Sequence, residues 1–235
     1  MRKKRKKTTN PRYAERLITF RNPKSPVSEA FRTVRTNIEF SDIDHKLKTI
    51  MVTSSIPSEG KSTLTSNIAV AMAMSGKNIL IIDADLRSPT QHKCFNVRNL
   101  HGLTNLLLDE TLSLEDVLVY PSQENLILLT TGPLPPNPAE LLGSERMRNF
   151  VASLANHFDV ILIDAPPVLP VTDAAILASY VDGVVMVAAA GNVPREQALL
   201  AKEQLIKAKA NILGVVLNKV SANSKPYYGY YGHSQ

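Results

Sequence analysis

The sequence predicts an α/β fold with a mostly parallel sheet and helices on both faces. Short runs rich in branched apolar residues alternate with longer segments of helical periodicity, as in strand–helix–strand units. Two of these runs, 79–82 and 160–163, contain no polar residue, as expected for strands covered on both sides. With 235 residues, of which 44% are hydrophobic, the chain can bury the core of one such domain.

The period of the apolar residues assigns the individual elements. The predicted strands cover residues 49–54, 79–83, 126–130, 159–164, 183–189 and 212–217. The predicted helices cover residues 28–40, 62–75, 113–119, 145–156, 172–179 and 195–209. Gly76 is expected to end the second helix, because glycine readily adopts the left-handed conformation that closes helices. The proline-rich segment 132–138 is expected to be a rigid loop, because proline fixes φ and lacks a backbone donor.

Residues 55–63 lie between a predicted strand and a predicted helix, where a phosphate-binding loop belongs. Gly60 lets the backbone approach phosphate oxygens, Lys61 reaches the β and γ phosphates, and Ser62 offers a hydroxyl to Mg²⁺. Ser55 stands where the motif has its first glycine, a tolerable departure because serine is small. We predict a P-loop NTPase-like fold. The predicted nucleotide-binding residues are Ser58, Glu59, Gly60, Lys61, Ser62 and Thr63.

Three aspartates follow apolar runs that read as buried strands. Asp83 and Asp85 follow one run and Asp164 ends another. Carboxyl ends of parallel strands form the ligand edge of a sheet, so these acids are expected to converge on the P-loop. Mg²⁺ takes few direct protein ligands, which leaves one carboxylate free to accept a proton from an attacking hydroxyl. The alternative is that Asp83 or Asp85 only caps the next turn.

The positive charge of the chain is concentrated near its start. The formal net charge is +6, and six of the 27 basic residues lie at positions 2–7. The remainder carries 21 basic and 21 acidic residues, so nucleic acid is not expected as a direct ligand. The basic segment suits an anionic membrane surface or an acidic partner, or it serves only to keep the chain in solution.

Composition also bears on the compartment. No run of apolar residues approaches the roughly 18 that a membrane span requires, and no apolar segment follows the basic start as in a signal peptide. Cys94 is the only cysteine, which excludes an internal disulfide and favours a reducing environment. We expect a cytoplasmic protein.

The last nine residues hold four of the seven tyrosines. Glycines among them oppose a stable helix, and there is too little branched apolar content for a core strand. Packing therefore does not account for these tyrosines, which are Tyr227, Tyr228, Tyr230 and Tyr231. A sticky aromatic tail and a base-stacking platform are alternatives to a phosphorylated tail, and composition alone does not choose among them.

The combination resembles the bacterial tyrosine kinases of capsule and exopolysaccharide biosynthesis, the BY-kinases. From about Ser28 to the C-terminus the following motifs match: helical Glu29-x-x-Arg32-x-x-Arg35, the P-loop, the two aspartate strands called Walker A′ and Walker B, the proline loop and the tyrosine cluster. The resemblance carries one departure besides Ser55, because the family usually has glycine where this chain has Ser58.

The resemblance implies an ATP-dependent protein tyrosine kinase that autophosphorylates its tail in trans, with ATP and Mg²⁺ as cofactors. Asp83 would accept the proton of the tyrosine hydroxyl. Lys61, Asp83 and Asp85 would form the catalytic set, and Ser62, Asp85 and Asp164 would bind the metal. The implied organisation is a basic, flexible segment over 1–27, a kinase domain over 28–220 and a flexible tyrosine-rich tail over 221–235.

The resemblance also implies partners. Glu29, Arg32 and Arg35 would lie at the contact between subunits of a ring-like homo-oligomer, so that one tail enters the neighbouring active site. Their spacing places them on one helix face, where ordinary surface ion pairing is the alternative. A transmembrane activator of the polysaccharide co-polymerase type would recruit the kinase to the inner face of the membrane. A cognate tyrosine phosphatase and further protein substrates are also implied.

Two other functions remain open from the residues alone. Partition and septum-placement ATPases of the same superfamily carry a lysine at the position of Ile56, so the sequence counts against that class. The third possibility is a non-enzymatic nucleotide-binding scaffold with an aromatic tail, which requires that Asp83, Asp85 and Asp164 do not support catalytic turnover.

Overall fold

The computed structural model describes residues 17–41 and 47–221. The strands are β1 (Thr49–Ser54), β2 (Ile79–Asp83), β3 (Leu118–Val119), β4 (Leu126–Leu129), β5 (Val160–Asp164), β6 (Gly183–Ala189) and β7 (Ile212–Asn218). The helices are α1 (Ile18–Arg21), α2 (Pro26–Ser41), α3 (Lys61–Ala73), α4 (Gln91–Cys94), α5 (Leu103–Leu108), α6 (Pro138–Gly143), α7 (Glu145–Leu154), α8 (Asp173–Ala178) and α9 (Arg195–Lys207). All six predicted strands are confirmed.

Within the described ranges the strands form one sheet in the order β3-β4-β2-β5-β1-β6-β7. Neighbouring strands are parallel except β3 and β4, which are antiparallel. The loops after β1, β5 and β2 therefore leave the same edge side by side. This order brings the P-loop next to Asp164, and Asp164 next to the loop that carries Asp83 and Asp85, as the sequence predicts.

Alternate side chains of the central strands enter two separate cores, one on each face of the sheet. In β2, Ile79 and Ile81 pack in a cluster with residues of α2 and α3, whereas Leu80 and Ile82 pack in a cluster with residues of α5 to α9. All four side chains are fully buried, and each burial contributes about 1.5–3 kcal/mol. Burial on both sides explains the absence of polar alternation in this strand.

Helix α3 is buried on nearly every side because it lies between the sheet and α2. Its polar residues satisfy their hydrogen bonds inside the protein. The Thr65 hydroxyl donates to the Lys61 carbonyl oxygen at 2.9 Å, and the Asn67 amide oxygen accepts from the backbone N–H of Thr19 at 3.0 Å. The helix therefore needs no polar, solvent-facing stripe.

The packed domain begins earlier than residue 28. Leu17 and Thr19 are buried, so the described part of the predicted flexible segment packs against α3. The basic run at positions 2–7 and the four tail tyrosines lie outside the described residues. Among the helices of the described ranges, none combines the length and apolar character needed to cross a bilayer.

The predicted helix over 113–119 is wrong. The Asp116 carboxylate accepts hydrogen bonds from the backbone N–H of Ser113 at 3.2 Å and from its hydroxyl at 2.7 Å, and these local bonds close a turn. Leu118 and Val119 then pair antiparallel with β4 as β3. The other predicted helices are confirmed with small shifts in their ends. Helices α1, α4, α5 and α6 were missed because four to six residues are too few to show helical periodicity.

The proline-rich segment is irregular through residue 137, as predicted, and Pro138 begins α6. Proline is favoured at the first position of a helix because its missing N–H has no partner to lose there. Gly76 follows the end of α3 with a φ of +91°, which confirms its role in closing that helix.

The turn between β1 and α3 adopts left-handed backbone conformations at two positions. Ser58 has a φ of +68° and Gly60 has a φ of +101°. A residue with a side chain in this region carries a strain of about 1–2 kcal/mol, so the glycine usual in the family would fit better than Ser58. At Gly60, a Cβ atom would collide with the side-chain nitrogen of Asn218, which would have to move away from the loop. This position therefore requires glycine for both its φ and its space.

We expect Ser58→Gly to raise the free energy of unfolding by up to about 1 kcal/mol, because relief of the strain outweighs the greater freedom of glycine in the unfolded chain. Gly60→Ala is the matched change in the opposite direction and should lower the free energy of unfolding by more than about 1 kcal/mol. Urea unfolding followed by circular dichroism measures both variants. Equal effects of the two changes would contradict the described loop geometry.

Candidate active site

P-loop residues and Asp85 line a cavity of about 810 Å³ at the carboxyl edge of the sheet. Its wall includes P-loop residues, the loop after β2, the loop after β5 and the end of β7. Of the six predicted nucleotide-binding residues, five line this cavity: Ser58, Gly60, Lys61, Ser62 and Thr63. A second cavity, of about 600 Å³, lies near Asn78 and Leu126 and contains none of the predicted site residues.

Lys61 is the central cation of the site. It is the first residue of α3 and is only 8% exposed. Its Nζ lies 2.7 Å from Oδ2 of Asp85, 3.5 Å from Oδ1 of Asp164 and 3.2 Å from the hydroxyl oxygen of Ser62. Burial alone would lower the pKa of Lys61, but the charges of Asp164 and Asp85 outweigh burial and raise it. The ammonium group is therefore held in its charged form.

The oxygens around Lys61 are the predicted metal-binding set of Ser62, Asp85 and Asp164, and the ammonium group lies among them as a cation does. Hydroxyl and carboxylate oxygens are the donors that suit Mg²⁺, which also keeps waters and substrate phosphates as ligands. In the described ranges, no three carboxylate, imidazole or thiol side chains lie close enough to hold a metal ion by themselves. The residues present fit a magnesium ion that shares its coordination with a nucleotide.

Asp83 and Asp85 occupy different positions. Asp85 lines the cavity, whereas Asp83 is fully buried. Oδ2 of Asp83 accepts backbone hydrogen bonds from Thr90 at 3.0 Å and Gln91 at 2.9 Å, so this carboxylate does cap the start of α4. Its Oδ1 has no hydrogen-bond partner among the described residues. Burial, reinforced by the charge of Asp164, raises the pKa of Asp83 to about 8.

The backbone of the P-loop is held by residues behind and beside it. The Glu59 carboxylate accepts hydrogen bonds from the backbone N–H groups of Ile56 at 2.7 Å and Ala189 at 3.0 Å. Asn218 donates to the Glu59 carbonyl oxygen at 2.9 Å, and Lys219 donates to the Ser58 carbonyl oxygen at 2.6 Å. Glu59 is buried and does not line the cavity, so its contacts fix the loop rather than face a ligand.

Sequence reasoning missed several residues of the site. Gln91 donates to Asp83 through its backbone N–H and to Asp164 through its side-chain amide. Arg87 lines the cavity and forms a bidentate ion pair with the buried Asp173, at 2.9 and 3.0 Å. Asn218 and Lys219 also line the cavity. Arg87 and Gln91 lie close to Asp85 in sequence, two and six residues after it, whereas Asn218 and Lys219 belong to a distant segment.

The predicted interface residues of α2 are engaged within the chain. Arg32 pairs with Glu29 and donates to the Pro23 carbonyl oxygen at 2.7 Å. Arg35 donates to the carbonyl oxygen of Ala71, near the end of α3, at 3.1 Å. Glu29 remains the most accessible of the three predicted residues, with a side chain that is 63% exposed. Their role at a subunit contact stays a prediction.

Comparisons with known proteins identify the family of this chain. The AAA domain family matches residues 47–212 of the chain. The tyrosine-protein kinase YwqD of Bacillus subtilis is 43% identical over 97% of this chain and 95% of that protein. The tyrosine-protein kinase CpsD of Streptococcus agalactiae is 38% identical over 87% of this chain and 89% of that protein. The solved kinase domain of the Escherichia coli tyrosine kinase Etk is 33% identical, with a TM-score of 0.86 over 98% of this chain and 88% of that one.

These relatives extend over nearly the whole chain, and they match the P-loop fold that the sequence predicts. They favour the kinase interpretation over the partition ATPase and the non-enzymatic scaffold. The chain therefore belongs to the bacterial tyrosine kinase family and is a protein-tyrosine kinase of the bacterial type.

Proposed function

We propose that this kinase transfers the γ-phosphoryl group of ATP, with Mg²⁺ as cofactor, to tyrosines in the C-terminal cluster of a neighbouring subunit. The observation that carries this proposal is the Lys61 ammonium group among the oxygens of Ser62, Asp85 and Asp164. Phosphoryl transfer depends mainly on positioning and charge stabilisation by a lysine and a metal ion. This cluster contains the lysine and the oxygen atoms that would bind the metal ion.

The proposed physiological role is regulation of capsular or exopolysaccharide synthesis and export, which rests on the family resemblance. Its proposed partners are a transmembrane activator of the polysaccharide co-polymerase type, a cognate tyrosine phosphatase and further protein substrates. The proposed location is the cytoplasm, with recruitment by the activator to the inner face of the membrane.

Lys61 has two roles in the proposed mechanism. Without nucleotide it neutralises Asp85 and Asp164, as the 2.7 and 3.5 Å distances indicate. When ATP binds, the side chain turns toward the β and γ phosphates. Ser62, Asp85 and Asp164 would hold Mg²⁺, which would neutralise charge on the phosphoryl oxygens. The exchange keeps the buried carboxylates compensated in both states.

The strand order distinguishes the two sides of the cavity. Asn218 and Lys219 follow β7 on one side of the P-loop, whereas Asp85 and Arg87 follow β2 on the other. A tyrosine hydroxyl must lose its proton near a carboxylate, so we assign the acceptor to the Asp85 side and the nucleoside to the Asn218 side.

Asp83 remains the proposed proton acceptor. Its Oδ1 has no hydrogen-bond partner among the described residues and is able to receive a proton when the carboxyl group is ionised, which a pKa of about 8 makes the minor form at neutral pH. The side chain also has no exposed surface. The loop over residues 84–90 must therefore shift when the acceptor enters. Asp85 lines the cavity already, and in this proposal it serves the metal.

Lys61→Met should reduce tail phosphorylation by at least about 10²-fold to 10³-fold, because it removes a preorganised charge aimed at the transferred group. It also leaves Asp85 and Asp164 without their cation, so circular dichroism in the presence of Mg²⁺ must accompany the assay. Lys202→Met, on the exposed surface of α9, is the matched control and should leave phosphorylation unchanged. Wild-type phosphotyrosine in a folded Lys61→Met protein would reject the site assignment.

Transfer in trans is tested by mixing two defective chains. One carries Lys61→Met with an intact tail, and the other has an active site but phenylalanine in place of the four tail tyrosines. Radiolabel from ATP should appear on the Lys61→Met chain, because the tail of one subunit enters the site of the other. Mass spectrometry then locates the phosphates. Absence of label on the inactive chain, while wild-type protein becomes labelled, would exclude transfer in trans.

Phosphates should also loosen the assembly, because each adds a charge of about −1.5 to −2 to a tail that must return to a carboxylate-rich site. Light scattering during the wild-type reaction should record a shift toward smaller species. Labelling without any change in size would reject this switch while leaving the kinase activity in place.

The contacts of α2 separate the roles of its arginines. The double change Glu29→Ala and Arg32→Ala should give a smaller species by light scattering. It should also lower the free energy of unfolding by about 1 kcal/mol, because Arg32 loses its bond to the Pro23 carbonyl oxygen. Arg35→Ala should lower the free energy of unfolding by about 1 kcal/mol, because its bond to the Ala71 carbonyl is lost. An unchanged oligomeric size in the double variant would reject a role of Glu29 and Arg32 at the subunit contact and leave them as an ordinary surface ion pair.

A further inference from the structure

Gln91, the first residue of α4, is bonded to the last residues of β2 and β5 and to the first turns of α3. Its backbone N–H donates to Oδ2 of Asp83 at 2.9 Å. Its side-chain Nε2 donates to Oδ2 of Asp164 at 2.8 Å and to the Ser62 carbonyl oxygen at 3.1 Å. Its Oε1 accepts from the Ser66 hydroxyl at 2.7 Å. Each polar atom of the side chain is therefore engaged.

The chemistry of the partners fixes the orientation of this amide. The Asp164 carboxylate and the Ser62 carbonyl both accept hydrogen bonds, so the NH₂ group must face them. The Ser66 hydroxyl is able to donate and therefore matches Oε1. A flipped amide would place its oxygen against two acceptor oxygens in a fully buried site, which is costly.

The two oxygens of the Asp164 carboxylate have different partners. Oδ2 is committed to the amide, and Oδ1 faces the Lys61 ammonium group at 3.5 Å. Gln91 itself is fully buried and is not part of the cavity wall. It is therefore placed to act on a bound cation through Asp164 rather than by contact.

We propose that Gln91 is a positioning residue for the metal site, which orients Asp164 so that Oδ1 is presented to the cation and holds the start of α3 through Ser62. This inference rests on the proposed function, because it concerns the proposed Mg²⁺ site. Loss of a residue that orients a metal ligand typically weakens metal affinity or activity by about 10-fold to 100-fold.

The test is nucleotide binding rather than turnover. The full chain is titrated with a fluorescent ADP analogue, first in EDTA and then over a series of Mg²⁺ concentrations. Gln91→Met keeps an unbranched side chain of similar length but has no side-chain N–H donor. Its affinity for the ADP analogue in EDTA should match that of the wild type. The Mg²⁺ concentration at half-maximal enhancement of binding should rise by about 10-fold to 100-fold.

Two further variants sharpen the test. Gln91→Asn keeps the amide but is one methylene shorter, so it should lose its reach to Asp164 and raise the Mg²⁺ midpoint as well. If circular dichroism and thermal unfolding show that Gln91→Met does not fold, Gln91→Asn replaces it as the test variant. Ser66→Ala removes the hydroxyl that bonds to Oε1 of Gln91 and to the Ser62 carbonyl oxygen, at 2.7 and 2.8 Å. It leaves both bonds of the Gln91 NH₂ group in place, so it should shift the midpoint much less.

The outcomes are distinct. An unchanged Mg²⁺ midpoint in folded Gln91 variants, or an equal shift in Ser66→Ala, would overturn the positioning role and leave the proposed function standing. Wild-type binding that does not respond to Mg²⁺ at all would overturn the proposed metal site and this inference together.

Discussion

The site depends on the compensation of charge between one lysine and two carboxylates in a region from which water is largely excluded. Lys61 is 8% exposed and Asp164 is fully buried, so neither charge would be stable there alone. Removing one partner of such a group typically costs about 3–5 kcal/mol, because the remaining charge is left buried and unpaired. The parallel sheet supplies this arrangement without strain, because adjacent strands bring P-loop and aspartates to one edge.

A frame of hydrogen bonds keeps the phosphate loop in one shape before any ligand binds. The Glu59 carboxylate accepts from two backbone N–H groups, and Asn218 and Lys219 hold two loop carbonyl groups from the end of β7. These contacts engage two carbonyl groups of the loop and the backbone N–H of Ile56, which does not line the cavity. The backbone N–H groups on the cavity side therefore remain available to phosphate. Preorganisation of this kind lowers the ordering cost of binding.

The sequence predicts the sheet, the P-loop and the convergence of the aspartates, because strand periodicity and short motifs are local signals. It does not predict Gln91, whose importance arises only when α4 folds back onto Asp164 and Ser62. The same holds for Asn218, which is 158 positions from Gly60 and meets it through the sheet order. The false helix over 113–119 has a related cause, since pairing with β4 decided the conformation of Leu118 and Val119. Tertiary contacts override local preference where the segment is short.

The helix motif on α2 illustrates what spacing alone leaves undecided. The intervals between Glu29, Arg32 and Arg35 correctly predict a helix, but they do not identify the partner of each side chain. Arg35 turns inward and bonds to the Ala71 carbonyl near the end of α3, while Lys61 stands at the first position of that same helix. The proposed subunit contact and the phosphate site are thereby attached to opposite ends of α3. Because α3 is buried along almost its whole length, it connects them as one packed element rather than through a loop.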